Sequence, residues 1–142
     1  MIRILAVCIA IIHIFLSATC FAAVLEVMVV GLKNQKGDVH IAIFNKAEHF
    51  PYQDGILHEG KAPIFGNLAR LEFNDLPPGP YGAAIYHDEN FNNEFDQGLF
   101  GIPLEDYAFS NNASVFLSPP SFAEAMFFLK KPKTTLVIDL SK

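Results

Sequence analysis

Apolar and polar residues alternate with a period of two along most of the chain beyond residue 22, and this period is typical of β-strands rather than helices. The predicted strands occupy residues 24–30, 38–44, 69–73, 81–87, 123–129 and 134–140, with a further short strand at 114–117. We expect the first two strands to form a hairpin and the last two to be joined by a turn at residues 130–133. Short strands separated by turns rich in Gly and Pro, with no amphipathic helix, predict an all-β fold.

The strand pattern predicts an antiparallel Greek-key β-sandwich of the prealbumin or immunoglobulin type, with six to eight strands. Two long connections, residues 45–67 and 88–113, are expected to be ordered loops. Each contains aromatic and aliphatic residues that can pack onto the sandwich and offset the entropy lost when a loop becomes ordered. Loops of this length in a compact domain are usually functional, so we expect a binding site to lie on them.

The first 22 residues have a different character, with one positive charge at Arg3, an apolar run after it and then small residues. This layout predicts a secretory signal peptide over residues 1–22 and a single β-sandwich domain over residues 23–142. A membrane anchor is one alternative, but the run is shorter than the about 20 apolar residues that a span needs. A lipoprotein attached at Cys20 is another. We therefore expect an exported protein, periplasmic or extracellular, with no membrane span after cleavage.

Composition narrows the classes of function. The chain carries 10 Lys and Arg against 15 Asp and Glu, which disfavours nucleic-acid binding because that requires a basic surface. Both cysteines, Cys8 and Cys20, fall in the predicted signal peptide, so the predicted domain has no disulfide and no cysteine-based site. Of the 14 phenylalanines, only Phe15 and Phe21 lie outside that domain. The others fill the core or, alternatively, bind a small apolar ligand.

The second long connection begins with residues 88–96, in which oxygen-bearing side chains occupy relative positions 1, 3, 5 and 9. A tight coil with this spacing can surround a calcium ion. The candidate ligands are Asp88, Asn90, Asn92, Asp96, the backbone carbonyl of Glu94, and Glu105 or Asp106 in place of the glutamate missing at position 12. Asp and Asn also form side-chain-to-backbone turns, so a hydrogen-bonded loop without an ion is the alternative.

Other polar residues near this run are expected to order the loop rather than to catalyse a reaction. These residues are His87, Tyr107, Ser110, Asn111 and Asn112. An enzyme is the alternative, most plausibly a small hydrolase that uses His87 with Asp88 or Glu105, since clustered titratable groups at a strand end are typical of active sites. No nucleophile motif and no zinc-ligand spacing is present, so the pattern favours a binding role.

Two longer stretches resemble a bacterial exported family called domain of unknown function 2141. Residues 76–90 contain Pro-Pro-Gly-Pro-Tyr followed by His-Asp-Glu-Asn, and Asp96 continues the spacing. Residues 101–113 read Gly-Ile-Pro-Leu-Glu-Asp-Tyr-Ala-Phe-Ser-Asn-Asn-Ala. The chain departs from the family pattern at Asn93 and Ala108, where the family tends to have glycine, and both departures weaken a tight-turn interpretation there.

The resemblance covers essentially the whole chain after the predicted signal peptide, and it implies a secreted or periplasmic domain. It transfers no activity, because the family is named for its unknown function. The turn at residues 77–81 is also similar to that of transthyretin-like and carboxypeptidase-regulatory-like sandwiches, which implies the same fold. We therefore expect an exported binding or accessory module with a protein or small-molecule partner, and with Ca²⁺ as the candidate cofactor of its loop.

Overall fold

A computed structural model describes residues 22–142, so the predicted signal peptide lies outside the described residues except for Ala22. Within that range the chain forms eight strands and one short helix. The strands are β1 (Ala23–Val30), β2 (Asp38–Phe44), β3 (His58–Phe65), β4 (Leu68–Leu76), β5 (Gly79–Asp88), β6 (Tyr107–Phe109), β7 (Phe127–Leu129) and β8 (Lys133–Asp139). The helix α1 is Phe122–Ala125, and 3-10 turns occupy Gln53–Gly55, Leu99–Gly101 and Ser110–Asn112. Among these residues, no helix has the length and apolar character needed to cross a membrane.

The strands form one mixed sheet that curls until it nearly closes into a barrel. Its hydrogen-bonded order is β6-β5-β2-β3-β4-β1-β8, and β7 pairs with the start of β5. β3 joins the two halves of the sheet, because residues 58–63 pair with β2 and residues 64–65 pair with β4. Every described strand pair is antiparallel except β1 with β8.

This topology confirms the predicted all-β class, whereas the predicted Greek-key sandwich is not confirmed. The fully antiparallel arrangement is wrong at β1 and β8, which run parallel. The expected hairpin of the first two strands is also wrong, since β1 pairs with β4 and β8, while β2 pairs with β3 and β5. β1 is buried or half-buried along its whole length, which suits a strand with a neighbour on each side.

The first predicted long loop is wrong in part, because residues 58–65 form β3. This strand contains Gly, Pro and charged residues, and Ala62 is its one fully buried residue. The alternation of apolar and polar residues in β3 is therefore weak. Backbone pairing with β2 and β4, rather than a buried apolar face, holds this strand in place. The second long connection, predicted over residues 88–113, is also wrong in part: an ordered loop follows β5, but Tyr107–Phe109 form β6.

The C-terminal region differs from the prediction at two places. The expected strand at 123–129 begins as helix α1, where Ser121 Oγ accepts from the Glu124 N–H and the Glu124 carboxylate accepts from the Ser121 N–H at 2.7 Å. This capping box stabilises a helical start that the apolar pattern did not reveal. The expected strand at 114–117 is only a single bridge between Phe116 and Ser118.

The main core fills the space between the two halves of the sheet. Its buried side chains include Leu25, Val27, Val29, Val39, Ile41, Ile43, Ala83, Ile85 and Ile138. A second cluster on the outer face of β2 and β5 contains Phe44, Phe50, Phe109 and Ala125, with Phe50 edge-on to Phe44 at 5.0 Å. This second cluster holds the connections that follow β2 and β6 against the sheet.

Gly37 allows the connection between β1 and β2 to approach the end of β5. It has a φ of +71°, and a Cβ at this position would lie 1.6 Å from the carbonyl oxygen of Asp88. Gly66 has a similar φ of +64° but no atom within 4 Å of such a Cβ. The two glycines therefore separate the cost of the backbone conformation from the cost of the close approach.

We expect Gly37→Ala to lower the free energy of unfolding by about 3 kcal/mol or more, because it combines left-handed strain with steric overlap. Gly66→Ala should cost only about 1–2 kcal/mol, since it adds the strain alone. Urea unfolding followed by circular dichroism measures both values. Equal losses in the two variants would show that the contact with Asp88 does not limit the fold.

Candidate functional site

A cleft of about 870 Å³ opens on the outer face of β2, β5 and β6. The centre of its floor is formed by Ala42 and Ala84, which lie opposite each other in the β2–β5 register. Both side chains are small, so they leave space above the sheet. Aromatic rings stand beside them, with Phe95 5.5 Å from Tyr86 and 5.4 Å from Tyr107. Alternate residues of these strands face the core, so the cleft is separate from it.

Large apolar side chains from three connections surround the cleft and are open to solvent. Tyr52 and Ile102 are 62% exposed, while Phe100 and Leu117 are 99% and 96% exposed. Phe100 and Leu117 also have positive φ values of 62° and 60°, a conformation that bulky residues rarely adopt. Exposed apolar groups on strained, ordered loops are typical of binding surfaces.

One corner of the cleft is polar. The His40 ring stacks on Tyr86 with centroids 4.5 Å apart, and its Nδ1 lies 2.9 Å from the Tyr86 hydroxyl. Its Nε2 lies 3.1 Å from Asp38 Oδ1 and 3.3 Å from Asp88 Oδ2. Burial, followed by the charge of Asp88, raises the pKa of Tyr86 well above its usual value, so the hydroxyl stays protonated at neutral pH.

The predicted calcium-loop residues form a ring of hydrogen bonds that begins at Asp88. Its side chain is fully buried, Oδ1 accepts from the Asn92 N–H at 3.2 Å, and Oδ2 accepts from the Asn93 N–H at 2.8 Å. The amides of Asn90 and Asn92 donate to the two oxygens of Asp96 at 2.7 and 3.0 Å. These contacts hold the loop together by hydrogen bonds among its own side chains and backbone.

Two further turns complete the ring. The Asn92 N–H donates to Asn90 Oδ1 at 2.9 Å, and the Glu94 N–H donates to Asn92 Oδ1 at 3.0 Å. Glu94 therefore takes part in the ring through its backbone N–H. Asn93 has a φ of 65°, so it adopts the left-handed conformation that the loop requires without being glycine.

Glu105 folds back onto this ring, but Asp106 does not. Glu105 Oε2 accepts from the Asp96 N–H at 3.1 Å, whereas Asp106 Oδ1 accepts from Lys33 Nζ at 2.5 Å. Glu105 is 8% exposed, and its Oε1 is buried without a hydrogen-bond partner. Burial raises the pKa of Glu105, and the nearby charges of Asp96 and Asp88 raise it further.

The loop-ordering residues take different positions. Tyr107 lines the cleft, and Ser110 is buried, where its Oγ accepts from the Ala83 N–H at 2.8 Å and donates to the Ala125 carbonyl at 2.5 Å. The remaining three are Asn111, which donates to the Glu124 carbonyl at 2.9 Å, Asn112, which has a left-handed φ of 49°, and His87, which is fully buried. Ser110 thus ties β5 to the segment that ends α1.

The structure groups titratable side chains differently from the sequence-based expectation. In the described part of the chain, two sets of three have ligand atoms within 4.8 Å of one another: Asp38 with His40 and Asp88, and His87 with Glu89 and Asp106. His87 lies against the Lys36 carbonyl at 2.6 Å. Neither His87, Asp88 nor Glu105 lines the cleft, so the geometry does not support the hydrolase alternative.

Asp38, His40 and Tyr86 were missed as site residues. Alternation along β2 and β5 was the available indication, since it places Asp38 and His40 on one face of β2 and Tyr86 and Asp88 on one face of β5. Their contact depends on the register, in which Asp38 is opposite Asp88 and His40 is opposite Tyr86. A single sequence gives the faces of strands but not their neighbours.

Comparison with known proteins identifies the family of this chain but indicates no ligand. The profile of the family described as "uncharacterized protein conserved in bacteria (DUF2141)" matches residues 27–137, a range that extends from β1 into β8 and includes the cleft and the loop. No curated protein and no solved structure matches the chain significantly, so the similarity to transthyretin-like sandwiches is not confirmed. The chain therefore belongs to the bacterial family DUF2141.

Proposed function

We propose that this protein is an exported binding module whose cleft holds a small, largely apolar ligand. The observation that carries the proposal is the aromatic-walled cleft of about 870 Å³ with a rim of exposed apolar side chains. Its volume falls within the range of about 300–1,000 Å³ that is usual for small-molecule sites. Export rests on the signal-peptide pattern of residues 1–22.

The chemistry of the cleft favours an uncharged ligand. The rim carries Glu59 and Lys61 together, so their opposite charges largely cancel. The protonated Tyr86 hydroxyl, held by His40, offers one polar contact that can orient a ligand. Covering Phe100 and Leu117 would remove large apolar surfaces from water, and this gain offsets the strain of their backbone conformations.

The floor of the cleft can be filled by one substitution. We expect Ala84→Leu to weaken binding of the neutral fluorescent probe N-phenyl-1-naphthylamine by at least about tenfold, because the added carbons occupy the space between the aromatic walls. Fluorescence titration measures the affinity, and a thermal melt checks that the variant folds. Ala47→Leu, in an exposed position after β2, is the matched control and should bind as wild type does.

A rim variant tests the same site without altering the sheet. Phe100→Ser with Leu117→Ser should also weaken probe binding, since both side chains are almost fully exposed and contribute little to folding. Wild-type affinity in both the floor variant and the rim variant would rule out the cleft as the binding site.

For the loop between β5 and β6, we propose that Ca²⁺ adds stability through Glu105. The hydrogen bonds of the ring account for Asp88 and Asp96, but they leave Glu105 Oε1 buried and unpartnered. Such an oxygen costs free energy, and a hard cation with oxygen ligands would remove that cost. The negative charges of Asp88 and Asp96 near Glu105 also favour a cation.

Glu105→Gln separates the two explanations of the loop. In EDTA, we expect this variant to be at least as stable as wild type at pH 7. The pKa of Glu105 is raised in the folded state, so wild-type stability falls as pH rises from the ordinary glutamate pKa to the raised one, and glutamine removes that loss. Calcium at about 100 times its dissociation constant should stabilise wild type by about 2.7 kcal/mol and the variant by nothing.

Glu94→Gln is the matched control, because it removes an exposed charge from the same loop and keeps the backbone carbonyl. It should retain the full calcium effect in the same thermal melts. A wild-type protein that does not respond to Ca²⁺, or a Glu105→Gln variant that responds normally, would leave the hydrogen-bonded loop as the correct description.

A further inference from the structure

We propose that His87, Glu89 and Asp106 bind a divalent transition-metal ion, such as Zn²⁺ or Mn²⁺, at the base of the loop between β5 and β6. One ligand atom from each side chain lies within 4.8 Å of the other two. Asp88 lies between two of these ligands in the sequence, but its side chain belongs to the hydrogen-bonded ring. The three proposed ligands do not include Glu105, the residue proposed for calcium.

His87 is prepared to act as a ligand. Its side chain is fully buried, and its Nε2 lies 2.6 Å from the carbonyl oxygen of Lys36. A carbonyl only accepts hydrogen bonds, so Nε2 carries the hydrogen and the neutral ring has its lone pair on Nδ1. That Nδ1 is buried and has no hydrogen-bond partner. Histidines that bind metals are commonly held in this way by a backbone carbonyl.

In each of the two carboxylates, one oxygen accepts a hydrogen bond from a neighbouring side chain. Asp106 Oδ1 accepts from Lys33 at 2.5 Å, while its Oδ2 is buried and unpartnered. Glu89 Oε2 accepts from the Asn34 amide at 2.9 Å. The three groups that hold the proposed ligands, from Lys33, Asn34 and Lys36, therefore all belong to the connection between β1 and β2. In addition, the backbone N–H of His87 donates to the carbonyl of Asp106 at 2.8 Å and fixes the backbone there.

The ligand set selects the class of ion. Calcium and magnesium prefer sites made of oxygen atoms, whereas an imidazole nitrogen with carboxylates suits zinc, manganese or iron. Two carboxylates and a neutral histidine provide the negative charge for a divalent cation. The Lys33 side chain is 68% exposed, so it can move away when an ion arrives.

Such an ion would join the two ends of the loop. Glu89 follows the last residue of β5 and Asp106 precedes the first residue of β6, so coordination by both would fix the separation of these strand ends. The same loop supplies Phe95, Phe100 and Ile102 to the cleft. Metal binding would therefore stabilise one wall of the proposed ligand site.

Cobalt titration tests the site, because Co²⁺ occupies zinc sites and reports its ligands by visible absorption. The purified protein is stripped with EDTA, dialysed and titrated with Co²⁺ and then with Zn²⁺. We expect one equivalent of Co²⁺ to bind and Zn²⁺ to displace it. Asp106→Asn and Glu89→Gln should each weaken binding at least about tenfold, and both positions are partly exposed, so these variants avoid the folding risk of replacing His87.

Two controls locate the ion. His49→Gln removes an exposed histidine whose Nδ1 lies 2.5 Å from Asp54, and Glu94→Gln removes an exposed carboxylate from the loop between β5 and β6. Both should bind Co²⁺ as wild type does, and Ca²⁺ in hundredfold excess should not displace it. The proposal is wrong if no saturable binding occurs, if Asp106→Asn and Glu89→Gln bind normally, if either control loses binding, or if Ca²⁺ displaces the ion.

Discussion

The register between β2 and β5 is the constraint on which the rest of the molecule depends. It places Ala42 opposite Ala84 and His40 opposite Tyr86, and so determines both the depth of the cleft and its polar corner. The alternation of side chains then sends His87 to the opposite side of β5 from Asp88. A shift of one residue would exchange the faces, bury the polar corner and expose the core.

The loop between β5 and β6 extends from the paired end of β5 to the wall of the cleft at the surface. Asp88 is the last residue of β5, and its buried carboxylate accepts two backbone N–H groups from the loop that follows. Because these bonds fix the loop to the end of β5, they also help to place Phe95, whose ring packs between Tyr86 and Tyr107. The position of this wall of the cleft therefore depends on the position of the end of β5.

Much of the fold could be predicted from the sequence, but its pairing could not. Alternation identified β1, β2, β4, β5 and β8, because each buries one face or both. β3 was missed because its sequence, with Gly60, Lys61 and Pro63 in the middle, shows no apolar alternation. α1 was missed although Ser121 and Glu124 formed a readable capping box. In the site, contacts local in sequence, such as Asp88 with Asn92, could be expected, while those of His40 across the sheet could not.

The parallel pairing of β1 with β8 has a consequence for how the chain reaches its final state. β1 is paired on both sides by strands that come much later in the sequence, and it contains some of the most buried residues of the core. Until β8 has emerged, β1 has an open edge whose backbone groups can pair with another chain. Contacts between such distant segments also form slowly. β1 is thus open to aggregation during synthesis until pairing with β8 covers its edge.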